Sequence, residues 1–431
     1  MRVLESGATP VRMAPADAWY LFEKGIHADQ LMVYAFAGSP PSVERAVEEV
    51  VGRARGCPEL RLRVTHRRFG LGIPGWVPAD IDAGQIRIHD LQSPEWSECL
   101  NAVARIIAEQ QVDPWQALWR FHAFPDVKNV PASQGQSSTV VVLQFSHAFA
   151  DGIRSAALAG FLFGRTAPLP AITPLPVGWS LSRVLEAVRW RRQLVRDTEA
   201  GLVAPPPSPV PALSINHQPV GTPILRTVVR PRSKLPEGSV TVGALVAISE
   251  ALSGYLSERG EDASLLTALV PISKPGVPNA RNHSGPEFID LHPAVRARDE
   301  RARLIATELQ HCQQRRRHPA LAADELALTA LPGPLLRWGV PRLQRRSTTV
   351  VDDTVLGNTS VSSVNRGMAD LHFGGCPVIM SCGYPFMTPA IGLTHGVHGI
   401  GDTVAISVNT TEAAMSDIDS YMDRLNASLR P

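Results

Sequence analysis

A histidine, an aspartate and a glycine stand together in the sequence HAFADG, at His147, Asp151 and Gly152. Imidazole is the side chain whose ordinary pKa suits proton transfer near neutral pH, so His147 is a candidate general base. Asp151 is too close in the chain to be the third member of a remote triad. We expect it to fix the turn, with Gly152 adopting backbone angles that a Cβ would forbid. The alternative is a hydrogen-bonded histidine before a turn, without a catalytic role.

The residues on either side of this segment predict a strand followed by a helix. Val140–Leu143 is a β-branched apolar run, typical of a strand buried on both faces. Ser155–Leu162 is rich in alanine and leucine and predicts a well-packed helix. The end of a buried strand can hold a reactive side chain at the edge of a cavity, and His147 has that position.

The composition limits the kinds of protein that this chain can be. With 431 residues, 44% of them hydrophobic and 19% charged, it suits two core-forming units, or three at most. A formal net charge of +2 argues against a general nucleic-acid binder, which normally carries a marked basic excess. Five scattered cysteines, an odd number, indicate reduced thiols and a cytoplasmic location.

Membrane contact, if there is any, is expected to be peripheral and at the inner face of the membrane. The first residues lack the apolar core of a signal peptide. No uncharged apolar run reaches about 18 residues, so no membrane-spanning helix is predicted.

Strands and helices are predicted in both halves of the chain, with long returns between them, which indicates an α/β (α+β) fold. The clearest break is the proline-rich segment Val203–Pro211, in which regular structure cannot continue. We therefore place an N-terminal unit at 1–200, a linker at 201–222 and a C-terminal unit at 223–431.

Several familiar catalytic motifs are excluded. The sequence has no GxSxG elbow, no Walker loop and no HExxH. Residues 70–75 match GxGxxG, but the prolines at Pro74 and Pro78 cannot continue as the helix that a dinucleotide loop must open, so a hairpin turn is expected. A single histidine without a neighbouring nucleophile fits direct general-base catalysis, in which the substrate brings its own nucleophile.

No metal site is predicted. The nearest spacings to a metal-binding pattern are His395 with His398, and His372 with Cys376 and Cys382. Neither supplies four ligands in the usual pairs.

Leu181–Ala200 is predicted to be an amphipathic helix, and 337–346 is a second segment that mixes basic and apolar residues. One interpretation is a solvated face; the other is an interfacial helix near anionic lipid. The apolar stripe of the helix contains Leu181, Val184, Leu185, Val188 and Val195, and its arginines are Arg183, Arg189, Arg191, Arg192 and Arg196.

Further segments follow a pattern known from one protein family. They are Met13–Trp19, Ile26-His27, Val112–Trp119, Val270–Ser273, Arg281-Asn282 and Phe288–Leu291. Together with the HxxxDG segment they resemble the bacterial wax ester synthase/diacylglycerol acyltransferase family, which is part of the chloramphenicol acetyltransferase-like superfamily. The resemblance extends over nearly the whole chain.

The sequence departs from the family pattern at three places. Ser146 stands where the family has the first of two adjacent histidines. Gly243-Ala244 replaces an Asn-Asp pair, and Ser362–Gly367 replaces the SNVPGP segment without either proline. The last two fall on segments associated with the active-site floor and the interface between the halves, so they bear on the substrate class.

The resemblance implies two chloramphenicol acetyltransferase-like subdomains, each a mixed sheet flanked by helices, with an active-site tunnel between them. It implies acyl-CoA as co-substrate, a lipid alcohol as acceptor and no cofactor. His147 would be the catalytic base, and Asp151 would hold the loop through a basic partner. The oxyanion would be stabilised by N–H groups near Gly152, or by the candidate side chains Asn282 and Ser363.

From the resemblance we expect an O-acyltransferase that makes triacylglycerol from diacylglycerol, wax ester from fatty alcohol, or both. It would act in the cytoplasm, with a membrane or lipid-droplet surface as a further partner. The alternatives are an acyltransferase for a specialised glycolipid or polyketide hydroxyl, and a non-catalytic lipid-binding homologue. The apolar segments 155–162 and 242–252 are expected to be core, or alternatively to line an acyl tunnel.

Overall fold

The computed structural model describes residues 10–22, 28–66, 73–176, 178–235, 238–337, 339 and 349–430. Three sequence predictions lie largely outside these residues: the Ile26-His27 pair, the first two glycines of the GxGxxG match (Gly70 and Gly72), and the basic segment beyond Arg337. Within the described residues, two six-stranded sheets form the body of the protein.

The strands and helices are numbered in chain order. The strands are β1 (Val11–Arg12), β2 (Asp29–Ala37), β3 (Leu62–Thr65), β4 (Gly75–Pro78), β5 (Ile86–Ile88), β6 (Trp119–Val127), β7 (Ser138–Ser146), β8 (Val210–Pro211), β9 (Ile224–Pro231), β10 (Thr267–Ser273), β11 (Ser284–Asp290), β12 (Thr354–Val355), β13 (Thr359–Asn365), β14 (His372–Phe373), β15 (Cys376–Tyr384), β16 (Leu393–Ile400) and β17 (Thr403–Thr410). The helices are α1 (Pro15–Phe22), α2 (Val43–Gly56), α3 (Trp96–Glu109), α4 (Gly152–Leu162), α5 (Leu181–Glu199), α6 (Val240–Ser257), α7 (Arg298–Arg316), α8 (Pro319–Ala330) and α9 (Ile418–Ser428).

The first large sheet has the strand order β14-β15-β2-β7-β6-β5. Its strands are antiparallel except for β5, which runs parallel to β6. All nine residues of β7 are buried, as the apolar run Val140–Leu143 predicts. One face packs against α2 and α4, and the other packs against α3.

The second large sheet has the order β11-β10-β13-β16-β17-β9. It is mixed, because β13 runs parallel to both of its neighbours. Helices α6 and α9 pack together over this sheet, where Tyr255 and Tyr421 meet edge to face. Both large sheets are therefore mixed sheets flanked by helices, which confirms the predicted fold class.

The apolar segments at 155–162 and 242–252 lie in α4 and α6 and belong to the cores of the two halves. Within the described residues, α6 is the one helix long and apolar enough to cross a membrane, and most of it is buried in the protein. Neither segment lines the large cavity described below, so the acyl-tunnel alternative finds no support at these residues.

The two halves are not separate along the chain. Strands β14 and β15 come from residues 372–384 but lie in the first sheet, where β15 pairs with β2. A single division at 201–222 therefore does not describe the first sheet, because long-range strand pairing completes it with C-terminal residues. Strand β15 also packs against β16 and β17, which joins the two sheets.

The predicted linker contains few regular elements but is anchored. Val210 is buried, and β8 pairs with β12. Asn216 is 2% exposed, and its side chain donates hydrogen bonds to backbone oxygens of Asn358 and Ala390. This part of the chain is thus fixed to the C-terminal half.

Candidate active site

His147 lies directly after β7, where the strand leaves the first sheet. Ser146, the last residue of β7, pairs with Asp29 of β2. A short turn then leads to Asp151, which is the N-cap of α4. A buried strand and a capped helix therefore fix both ends of the segment, and His147 lines a cavity between the halves.

Asn282, which lies near the start of β11 in the C-terminal half, holds the ring of His147. Nδ1 of His147 lies 3.0 Å from Oδ1 of Asn282. Nδ2 of Asn282 donates to the backbone oxygen of His147 at 2.8 Å and to Oδ1 of Asp17 at 3.1 Å. A backbone oxygen can only accept, which fixes the amide orientation and requires that Nδ1 of His147 donates. Nε2 then carries the lone pair that a general base needs.

Asp17 of α1 anchors Asn282 in turn. Its carboxylate also accepts the backbone N–H groups of Asn282 at 2.8 Å and of Arg281 at 3.2 Å. Burial raises the pKa of Asp17 above its usual value, whereas these donors favour the charged form. Hydrogen bonds thus run from Asp17 through Asn282 to His147. They orient the imidazole as the carboxylate of a catalytic triad does, but here an amide lies between the carboxylate and the imidazole.

Aromatic rings enclose His147. The ring of Tyr20 stacks on it with 3.9 Å between centroids, and Phe386 meets it edge-on at 5.5 Å. Burial lowers the pKa of His147 to about 4, against smaller opposing effects from Asp151 and Asn282. The imidazole is therefore neutral at physiological pH and able to accept a proton.

Asp151 joins the HxxxDG loop to the C-terminal half through backbone groups. Its carboxylate accepts the N–H of Arg154 at 2.9 Å, which caps α4, and the N–H of His283 at 2.8 Å. Its own N–H donates to the backbone oxygen of Arg281 at 3.3 Å. The loop-holding role is consistent with the prediction, but these two donors are backbone N–H groups rather than the basic side chain that was predicted.

Two arginines share one glutamate beside this loop. Arg154, which is 5% exposed, forms a bidentate pair with Glu59, with Nη2 at 2.6 Å from Oε1. Arg281 donates to the same carboxylate at 2.8 Å, and its guanidinium lies over the rings of Trp76 and Phe149. The ion pair between Arg281 and Glu59 joins the two halves and supports the segment that carries Asn282.

Gly152 is needed for space rather than for unusual backbone angles. It begins α4 and does not have a positive φ, which corrects the sequence prediction. A Cβ at this position would come within 2.9 Å of Cγ2 of Val364 in β13. The glycine thus lets the start of α4 approach the second sheet closely.

The remaining candidate side chains have other roles than predicted. The amide N–H groups of Asn282 are engaged with His147 and Asp17, so Asn282 orients the ring of His147 and has no amide N–H left for an oxyanion. Ser363 bonds Thr241 of α6 at 2.7 Å and does not line the cavity, because alternate residues of β13 point to opposite faces. Its neighbour Ser362 lines the cavity instead. Ser146 is 6% exposed and is held in β7.

The cavity has a volume of about 630 Å³ and is lined by both halves of the protein. Its apolar wall includes Met32 and Trp76 from the first half and Leu269 and Phe386 from the second. Pockets for small molecules are typically of this size and combine an apolar wall with a few polar groups. His147 is one of those polar groups.

His395 and His398, which were considered as a metal-binding pair, lie on opposite faces of β16. His395 bonds Thr359 at 3.1 Å and the hydroxyl of Tyr421 at 2.7 Å inside the core. His398 lies three residues further along β16 and so faces the opposite side, towards the cavity. Among the residues that the structure describes, no group of three or more His, Cys, Asp or Glu side chains could hold a metal ion.

Sequence reasoning missed Asp17, Glu59 and Tyr20 as parts of the site. Asp17 falls in the Met13–Trp19 segment of the family pattern, which was the available signal. Glu59 and Tyr20 carried none, because their roles depend on contacts with the distant Arg281 and His147.

A family model matches the N-terminal part of the chain. The model of the wax ester synthase/diacylglycerol acyltransferase catalytic domain matches residues 22–202, a range that includes His147 and Asp151. Over these residues the match confirms the family resemblance inferred from the sequence. No curated protein sequence matches the chain.

Solved structures show the same fold. The wax ester synthase/diacylglycerol acyltransferase from Marinobacter aquaeolei VT8 is similar at 18% identity with a TM-score of 0.59, covering 98% of both chains. A mutant starter condensation domain of rhizomide synthetase RzmA, in complex with C8-CoA and Leu-SNAC, is similar at 15% identity with a TM-score of 0.58. That alignment covers 98% of this chain and 93% of the other. The likeness confirms the two-subdomain, chloramphenicol acetyltransferase-like architecture.

Proposed function

We propose that this protein, whose residues 22–202 match the wax ester synthase/diacylglycerol acyltransferase catalytic domain, transfers an acyl group from acyl-CoA to the hydroxyl of a lipid alcohol. The acceptor would be diacylglycerol, a fatty alcohol or both. The observation that carries the proposal is the tautomer of His147, which leaves Nε2 as a base in a cavity lined by both halves. A similar condensation domain was solved with C8-CoA, which supports acyl-CoA as the donor.

The reaction proceeds by direct transfer. Nε2 of His147 takes the hydroxyl proton while the acceptor oxygen bonds to the thioester carbonyl carbon. The tetrahedral intermediate collapses, the C–S bond breaks, and His147 returns the proton to the CoA sulfur. The histidine ends neutral, as it began. Holding both substrates in line lowers the activation free energy by about 7 kcal/mol for well-oriented groups.

The oxyanion is stabilised from the start of α4 and from β13. Gly152 lines the cavity at the first position of α4, where a backbone N–H has no acceptor within its own helix. The positive end of the helix dipole favours a developing negative charge there. The hydroxyl of Ser362 is the second donor, in place of the side chains predicted from the sequence.

The test is release of CoA from palmitoyl-CoA with diacylglycerol, with hexadecanol and without acceptor. Wild type should release CoA only with an acceptor, and His147→Ala should lose about 10²- to 10⁴-fold in rate, the usual contribution of a general base. His217→Ala, at an exposed histidine, is the matched control and should retain full activity. The preferred acceptor then decides between a triacylglycerol and a wax ester product.

The same assay separates the alternatives. A glycolipid or polyketide hydroxyl as the sole acceptor would identify a specialised acyltransferase. If neither wild type nor His147→Ala releases CoA with any acceptor of a broad panel, while both proteins are folded, the proposal is refuted. That result would indicate a non-catalytic lipid-binding protein.

Peripheral membrane contact is part of the proposal, and α5 is the element that supports it. The stripe of Leu181, Leu185, Val188 and Val195 is 45–59% exposed. The helix rests on α8 through its opposite side, where Ala187 and Leu194 are buried. Exposed arginines flank the apolar stripe, as in helices that lie on anionic lipid.

A further inference from the structure

Arg366 lies in the cavity wall immediately after β13, although it is only 3% exposed. Its backbone N–H donates to Gly399 at 2.7 Å, which fixes its place at the end of the strand. One terminal nitrogen, Nη1, donates to the backbone oxygen of Cys382 at 2.8 Å and to the hydroxyl of Ser381. The guanidinium also lies 5.2 Å from the ring centroid of Tyr34.

These contacts leave the charge of Arg366 without a counterion. Within the described residues, no carboxylate forms an ion pair with it. Its Nε is buried and has no hydrogen-bond partner in the protein. A buried, unpaired cation is strongly unfavourable, and proteins normally pair such groups or use them.

His398 adds a second unpaired group beside Arg366. It is 5% exposed, lines the same cavity, and its Nδ1 has no partner. Two glycines make room for both side chains. A Cβ at Gly383 would lie 2.8 Å from Nη2 of Arg366, and one at Gly396 would lie 2.6 Å from Cε1 of His398.

The position of the pair suits the acceptor rather than the acyl chain. An alkyl chain would bury the charge further without compensating it, which excludes the acyl group as occupant. Arg366 donates to the backbone oxygen of Cys382, and Cys382 of β15 pairs with Val33 of β2. Ser146, the residue before His147, pairs with Asp29, which lies four residues from Val33 along β2. At about 3.3 Å per residue, the guanidinium lies roughly 13 Å along the strand from His147.

We propose that Arg366 and His398 form an anion-binding subsite for the acceptor. The proposal rests on the proposed acyl transfer and adds to its neutral acceptors an alcohol that carries a carboxylate or phosphate. The anion would lie roughly 13 Å from the reacting hydroxyl along the direction of β2. The anion takes charge-assisted N–H bonds from Nη2 of Arg366, the terminal nitrogen that Ser381 and Cys382 do not engage, and the hydroxyl reaches His147.

Binding is tested without turnover, in the His147→Ala background. The probes are 10-hydroxydecanoate, its methyl ester and 1-decanol, titrated by calorimetry. The acid should bind about 10- to 100-fold more tightly than the ester, as expected for a charge-assisted bond in a buried site. Adding Arg366→Met should bring the ratio of the two dissociation constants close to one, whereas Arg105→Met, at an exposed arginine of α3, should leave the ratio unchanged.

Equal affinities for acid and ester in His147→Ala would overturn the subsite, and so would a preference that survives Arg366→Met. The first comparison needs no change at Arg366, so it decides even if Arg366→Met does not fold. Turnover is measured separately with palmitoyl-CoA and the same three alcohols. If the acid binds more tightly than the ester but no alcohol is acylated, the proposed acyltransferase is refuted and the subsite is retained. If an alcohol is acylated but the acid binds no more tightly than the ester, the subsite is refuted and the acyltransferase is retained.

Discussion

At the scale of single residues, the site is unusual in that a neutral amide receives the Nδ1 proton of His147. A carboxylate in that place would stabilise the imidazolium and raise the pKa of the base. Asn282 orients the ring without adding charge, and Asp17 acts only through it. The imidazole of His147 therefore keeps the low pKa that its burial imposes.

A pH profile tests this arrangement. Burial lowers the pKa of His147 to about 4, and only the neutral ring is active, so kcat/KM should be flat near neutral pH and fall only as the pH approaches that value. Asn282→Asp places a carboxylate against Nδ1 and should move the acid limb to higher pH. Asn101→Asp, at an exposed position of α3, is the control. If kcat/KM of the wild type already fell near the ordinary pKa of histidine, the argument that burial lowers the pKa of His147 would be contradicted.

The close contact at Gly152 gives a second residue-scale prediction. Gly152→Ala places a methyl group 2.9 Å from Val364 and should destabilise the fold by about 1–3 kcal/mol, the usual effect of overpacking. Val364→Ala opens that space, so the double variant should regain part of the loss in a double-mutant cycle followed by denaturant unfolding. Additive effects would show that the contact is not the reason for the glycine.

At the scale of elements, the exposed apolar stripe of α5 gives a prediction about membrane binding. Leu185→Glu with Val188→Glu puts charges into the apolar stripe and should weaken binding to phosphatidylglycerol vesicles by roughly tenfold or more. The free energy of unfolding should hardly change, since both side chains are exposed. Val220→Glu, at an exposed valine outside the stripe, is the control in a flotation assay. Unchanged flotation would make α5 an ordinary solvated helix.

At the scale of the whole molecule, the first sheet depends on residues from the far end of the chain. A fragment of residues 1–222 lacks β15 and leaves the edge of β2 unpaired, and such edges invite aggregation. We expect the fragment to be insoluble alone and to become soluble when 223–431 is expressed with it. A soluble fragment with native circular dichroism would show that the N-terminal sheet is stable without β15.

The sequence predicts local features better than distant ones. The run Val140–Leu143 and the HxxxDG segment are local patterns, and they correctly predicted a buried strand and a histidine at the edge of a cavity. The role of Asn282 depends on Asp17, 265 residues away, and no periodicity encodes that contact. The choice between Ser362 and Ser363 depends on which face of β13 meets the cavity. A shift of one residue in strand register reverses it.

The place of β15 also constrains how the protein is made. Strands β2, β6 and β7 leave the ribosome early, but β15 follows only after most of the chain has been translated. At ~5–20 residues per second, the open edge of β2 waits roughly 20 to 70 s for its neighbour. During that interval the edge of β2 is unpaired and open to pairing with another chain. The first sheet is completed, and the wall of the active cavity closed, only near the end of synthesis.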